Sequence, residues 1–248
     1  MTWVPPMNVE ERLKAAFVPP AWQRWYHVGR EHRRGERELH LVPLLADPHR
    51  VSVDAGANRG VWTEVLRRHS RQVCAFEPNP KMYAELRRCA RPEVRTFPLA
   101  LSDRAGSGDL LVPQNDRGFS NQGASLSAAR IGDGRFGVVA VETRRLDDLD
   151  LGDIGFLKVD VEGHELAVLE GARETLRRHR PTMVAEIEER YHDRPIADLL
   201  AGVCSFGFQA FALHRGTLRP VGSLDLVACH SRPASRQDYV FNWIFFPA

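Results

Sequence analysis

The stretch VSVDAGANRG at residues 51–60 constrains the fold of this 248-residue chain most tightly: a short run of strand character ends in Asp54, and Gly56 and Gly60 then turn the chain into a helix. Glycines at a strand-to-helix turn let the backbone bend sharply and let a ligand approach where a Cβ would collide. Downstream the same rhythm repeats. Apolar or β-branched runs at 51–54, 73–77, 94–99, 156–160 and 181–188 alternate with amphipathic stretches at 60–69, 80–90 and 164–179. This alternation predicts an α/β domain with a doubly wound, mostly parallel sheet and helices on both faces. Runs at 208–213 and 239–246 are expected to finish the sheet.

Two regions depart from the rhythm. Residues 102–150 hold strand-like runs at 109–112 and 138–143 around a loop rich in Gly, Ser and Asn. So long an excursion reads as a binding loop, and 115–134 is expected to order over the active site as a lid. Residues 1–45 form a helical segment broken at Pro19 and Pro20, expected to pack on the 46–248 domain through Trp22, Trp25 and Tyr26. A cap, a pocket wall and a dimer contact are all open for it.

Composition excludes several classes. A formal charge of +2 lacks the clustered basicity of a nucleic-acid binder. No run approaches the ~18 apolar residues of a membrane span, and the N-terminus lacks the apolar core of a signal peptide. Cys74, Cys89, Cys204 and Cys229 are scattered without metal-ligand spacing, which predicts free thiols and a cytoplasmic location.

Glu77 lies 23 residues beyond Asp54, where a doubly wound fold sets an acid against the ribose of a bound adenosine. That alone also fits NAD. Asp54 separates the two, because a carboxylate repels a pyrophosphate but attracts the sulfonium and ammonium of S-adenosylmethionine.

Taken together, VDAGANRGVWT (53–63), FEPNP (76–80), ALSD (100–103), RLDDL (145–149), LKVDVEGHE (157–165), VLEGA (168–172) and EI (186–187) resemble the FkbM-type methyltransferases. The resemblance implies a class I methyltransferase (Rossmann-like) fold, S-adenosylmethionine as cofactor, and O-methylation of a sugar, glycan or secondary metabolite. It also implies that Asp54, Gly56, Asn58 and Gly60 hold the methionine part, Glu77 the ribose, and Ser102 with Asp103 the adenine edge. Ala55 and Trp62 depart from the family pattern, and Trp62 is expected to reshape the pocket wall.

Methyl transfer to a hydroxyl needs in-line geometry and a base within hydrogen-bond reach. Asp160, His164 and Glu186, at the carboxyl ends of the fourth and fifth strands, are the candidates. Asp160, Glu186 and Glu188 also compose an alternative, a magnesium site that would lower the acceptor's pKa. The partner is then a small-molecule or glycan acceptor, with homo-oligomerisation open. An NAD-binding or nucleotide-sugar oxidoreductase and a non-catalytic methyltransferase-like subunit are the competing readings.

Overall fold

The computed structural model describes residues 3–88, 91–116, 118–127 and 134–248. Cys89, Ala90 and, within the expected lid over 115–134, residues 117 and 128–133 lie outside them, and that part of the lid expectation with them. The chain opens with helices α1 (Val9–Phe17), α2 (Pro20–Arg34) and α3 (Val42–Leu45). Asn8 caps α1 in a reciprocal box with Glu11, and Pro20 begins α2, where a missing N–H costs nothing. Then follow β1 (Val51–Ala55), α4 (Val61–Leu66), β2 (Gln72–Phe76), α5 (Pro80–Arg88) and β3 (Val94–Phe97). The excursion supplies β4 (Ala100–Leu101), β5 (Gly106–Asn115), β6 (Gly118–Phe119) and β7 (Phe136–Arg144). The second half comprises β8 (Ile154–Val159), α6 (Glu165–Glu170), α7 (Arg173–His179), β9 (Thr182–Glu186), α8 (Ile196–Cys204), β10 (Phe208–His214), β11 (Thr217–Pro220) and β12 (Asn242–Pro247).

Eight strands make one sheet in the order β11-β10-β12-β9-β8-β1-β2-β3, and β4-β7-β5-β6 make a second. Neighbours from β9 to β3 run parallel, while β12 is antiparallel to both β9 and β10. The strand order reverses between β1 and β8, which is where an open α/β sheet leaves a crevice beyond its carboxyl ends. Both faces are covered. Val51, Val53, Ala55, Leu157 and Val159 point into one core, and Val73, Ala75, Phe156 and Val184 into the other. By the two-residue period of a strand, Asp54, Lys158 and Glu186 share the second face, under α3, α4 and the N-terminal segment.

Three expectations are corrected. The helix expected over 164–179 is two helices, because Gly171 meets the Ser102 carbonyl so closely that a Cβ there would stand 1.9 Å from its oxygen. Asp147 of the RLDDL motif then caps α7, accepting from the backbone N–H groups of Glu174 and Thr175. The N-terminal aromatics do not pack inward. Trp22, Trp25 and Tyr26 are 71%, 76% and 57% exposed, because Arg24 and Val28 occupy the inward stripe of α2. Finally, the fifth strand expected over 181–188 is shorter: β9 ends at Glu186, and Glu188 lies beyond it.

Candidate active site

Every turn at the carboxyl ends of β1 and β8 is conformationally demanding. Gly56 has φ +82°, and a Cβ there would stand 1.8 Å from the Asp160 carbonyl oxygen. The glycine is thus required by the approach of the two turns to each other, whereas the sequence pointed to a ligand. Asn58 and Gly60 are also left-handed, at φ 49° and 81°, which aims the backbone N–H of Asn58 at Glu77. On the β8 side Glu162 and Gly163 make the matching turn at φ 54° and 91°. Glu165 secures it by accepting from the N–H groups of Val161 and Gly163.

These turns border a cavity of about 660 Å³, within the range of small-molecule sites. Asp54, Gly56, Asn58, Glu77, Asp160, His164 and Glu186 all line it. Gly60, Ser102 and Asp103 do not. Gly60 caps α4 behind the wall, and the cavity edge near Ser102 is made by Leu99, Ala100 and Leu101. Ser102 instead holds the His164 ring, with Oγ 2.9 Å from Nε2, and Asp103 is exposed. His164 precedes α6 without capping it, and burial lowers its pKa despite the nearby Asp103.

Two buried carboxylates sit on the β1–β2 side. Asp54 accepts from the Thr63 hydroxyl at 2.5 Å, and Glu77 accepts from the N–H groups of Asn58 and Asn79 at 2.7 and 2.8 Å. Burial pushes Asp54 up to about 6 and Glu77 up to about 7, against the hydrogen bonds that favour their charged forms.

The floor of the cavity is a charge cluster that motif reading missed in part. Lys158 is fully buried, with Nζ 3.6 Å from Asp160 and 3.9 Å from Glu36, and lies 5.1 Å from the centre of the Trp62 ring. Burial alone would lower its pKa, but Asp160, Glu36, Glu186 and Asp54 outweigh this and raise it. Glu36 comes from the segment after α2 and accepts from Trp62 Nε1 at 3.1 Å and Asn242 Nδ2 at 2.9 Å. Its pKa is raised, chiefly by burial. A lysine inside a strand buried on both faces was the available signal for Lys158; nothing near Glu36 announced its partner.

Nothing among the described residues supports the magnesium alternative. Among the described residues no group of His, Cys, Asp or Glu is arranged to hold a metal ion. Glu188 is taken by Arg190 and Tyr239, and the cation beside Asp160 is the chain's own Lys158.

The donor set suits a cationic ligand carrying hydroxyls: two buried carboxylates face the cavity, and Asn79 Nδ2, at its wall, is a buried donor with no partner among the described residues. Residues 54–210 match the family model of the methyltransferase FkbM domain. The chain belongs to the FkbM methyltransferase family. It is 32% identical to 2-O-methyltransferase NoeI of Sinorhizobium fredii, over 78% of this chain and 90% of that protein. A fungal relative, methyltransferase sdnD of Sordaria araneosa, is 34% identical over 49% of this chain and 60% of its own. Among solved structures, methyltransferase FkbM from Methylobacillus flagellatus superposes with a TM-score of 0.52 at 18% identity, covering 95% of this chain. This chain spans 59% of that protein's length. The fold is that of the class I methyltransferases, and the enzyme is an S-adenosylmethionine-dependent methyltransferase. Among the described residues no helix is long and apolar enough to cross a membrane.

Proposed function

We propose that this methyltransferase acts on a hydroxyl of a sugar, glycan or related metabolite, with Asp160 as the base. The carrying observation is the Asp160 carboxylate, open to the cavity at the β1–β8 crevice and held beside a buried ammonium. Kinship to a 2-O-methyltransferase supports oxygen as the acceptor atom.

In this reading Asp54 and the 56–60 turn hold the methionine end, Glu77 takes the ribose hydroxyls, and Leu99 to Leu101 border the adenine, with Ser102 and His164 behind it. S-adenosylmethionine, when bound, supplies an electrophilic methyl group on a sulfonium. Asp160 then orients the acceptor hydroxyl and receives its proton. Lys158 fixes the Asp160 carboxylate, with its ammonium 3.6 Å away. His164, bound to Ser102, is better placed to shape the adenine end than to serve as base.

Transfer of radiolabelled methyl to a panel of mono- and oligosaccharides, catechols and amines tests the acceptor class. Label in an alkali-stable ether of a saccharide is the expected product; transfer confined to amines or catechols would overturn the reading.

The raised carboxyls also set a pH dependence. Asp54 and Glu77 bind protons more tightly in the folded chain than their ordinary values near ~4, so the stability they contribute is full below that value and is lost as pH rises through about 6 to about 7. A ligand that needs them ionised regains that loss. Affinity for S-adenosylhomocysteine should therefore fall as pH drops through 7, by up to ~10-fold per pH unit for one linked proton. The rise in melting temperature that it produces should grow with pH over the same interval. A flat affinity profile would remove Glu77 and Asp54 from contact with the cofactor.

A further inference from the structure

Around Lys158 stand three carboxylates that no sequence motif joins: Glu36 from the N-terminal segment, Asp160 after β8 and Glu186 at the end of β9. Fully ionised, they would leave a net charge of −2 on a largely buried floor, which Coulomb repulsion at low dielectric opposes. The three are not equivalent. Glu36 accepts from Trp62 and Asn242, contacts that favour its charged form, and Asp160 lies 3.6 Å from the Lys158 ammonium. Glu186 has no hydrogen-bond donor among the described residues; it follows the last β8–β9 register pair, Val159 and Ala185, as Asp160 does, and lines the same cavity, where the charges of Asp160, Lys158, Glu36 and Glu162 act on it. Glu186 is therefore the carboxyl of the three best placed to hold a proton shared by the cluster.

Resting on the cofactor and acceptor reading above, we infer that Glu186 is the proton store of the reaction: it gives up a proton when the positively charged cofactor binds and takes back the acceptor's proton at transfer.

The balance closes. At transfer an oxygen lone pair forms the new C–O bond, and the C–S bond breaks with its electron pair staying on sulfur, which becomes a neutral thioether. The acceptor's O–H bond gives its electrons to oxygen and its proton to Asp160, then to Glu186. The cofactor thus loses one positive charge as the cluster gains one, and the net charge of cofactor and cluster together is the same before and after the step. A buried site reacts with least reorganisation when its net charge stays constant. The burial that pushes Glu186 far above the ordinary carboxylate range, reinforced by Asp160, is consistent with storage at neutral pH.

Calorimetry tests this without an acceptor. S-adenosylmethionine and S-adenosylhomocysteine differ by one positive charge, and near pH 6.5 the amino group of each keeps its proton, below the α-amino range of ~7.7–8.0. Titrating each into the full-length protein in phosphate, Bis-Tris and imidazole buffers gives the protons released on binding from the dependence of the heat on buffer ionisation. Protons from Asp54 and Glu77 are common to both ligands. We expect about one more proton released with S-adenosylmethionine, and loss of that excess in Glu186→Gln with both ligands still bound. Equal release by the two ligands in the unaltered protein overturns the inference whether or not the variant folds; so does an excess that persists in a folded Glu186→Gln. If neither ligand binds, the cofactor reading falls, and the inference with it.

Discussion

Replacing Asp160 with asparagine should lower turnover by roughly two to four powers of ten, the usual share of a positioned base, while changing affinity for S-adenosylhomocysteine little. The amide keeps the shape of the side chain and its place beside Gly56, so the cavity is preserved. It cannot accept a proton or stay charged against Lys158, 3.6 Å away. Loss must therefore fall on kcat and spare cofactor binding. The contrast is His164→Gln. His164 Nε2 is occupied by Ser102, so this variant should retain most of its kcat. Single-turnover measurement with the acceptor found in the panel separates the two. If Asp160→Asn turns over at a near-normal rate, in-line positioning suffices; if His164→Gln shows the large loss instead, the base has been misassigned.

How legible the molecule was differs by region, for physical reasons. The parallel strands were readable because burial on both faces writes them as continuous apolar runs, and β1, β2, β8 and β9 fall within a residue or two of expectation, apart from the early end of β9. The turn at 54–60 was readable because left-handed backbone selects Gly and Asn. What sequence spacing does not encode is contact between distant segments. The meeting of Gly171 with the Ser102 carbonyl splits a helix that periodicity alone leaves whole. Glu36, 122 residues before Lys158, looks like one more charge on a polar stretch until the chain folds it under Trp62 and Asn242. The N-terminal aromatics misled in the opposite sense: large side chains argue for burial, but 22, 25 and 26 lie on the wrong arc of α2 for the face that Arg24 and Val28 present.

Ser102 and Asp103 show what a family motif leaves open. Carried over from the family as adenine ligands, they stand outside the cavity lining, where the backbone from Leu99 to Leu101 borders it instead. Ser102 is placed to fix His164, a cavity residue, and so to act through it. A motif marks a neighbourhood, whereas the role within it depends on which atoms face the ligand.

The other large effect is expected at Glu77. Its two oxygens accept the N–H groups of Asn58 and Asn79, which leaves each with a further lone pair toward the cavity. Two ribose hydroxyls can take those positions in charge-assisted bonds, each contributing ~1.5–3 kcal/mol. Glu77→Ala should then weaken S-adenosylhomocysteine binding by about 100-fold or more, the equivalent of ~3 kcal/mol. The same substitution strands two backbone donors, Asn58 N–H in the 56–60 turn and Asn79 N–H after β2, so a disordered turn alone would also cost affinity. A double-mutant cycle removes that ambiguity. Against the 2′-deoxy analogue of S-adenosylhomocysteine, the unaltered protein already lacks one of the ribose bonds, and Glu77→Ala should cost about 10-fold less than it does against the parent ligand. Disorder of the turn would penalise both ligands equally. Equal losses, with the variant folded by its thermal transition, would make Glu77 a brace for the Asn58 turn and leave the ribose to other groups, Asn79 Nδ2 first among them.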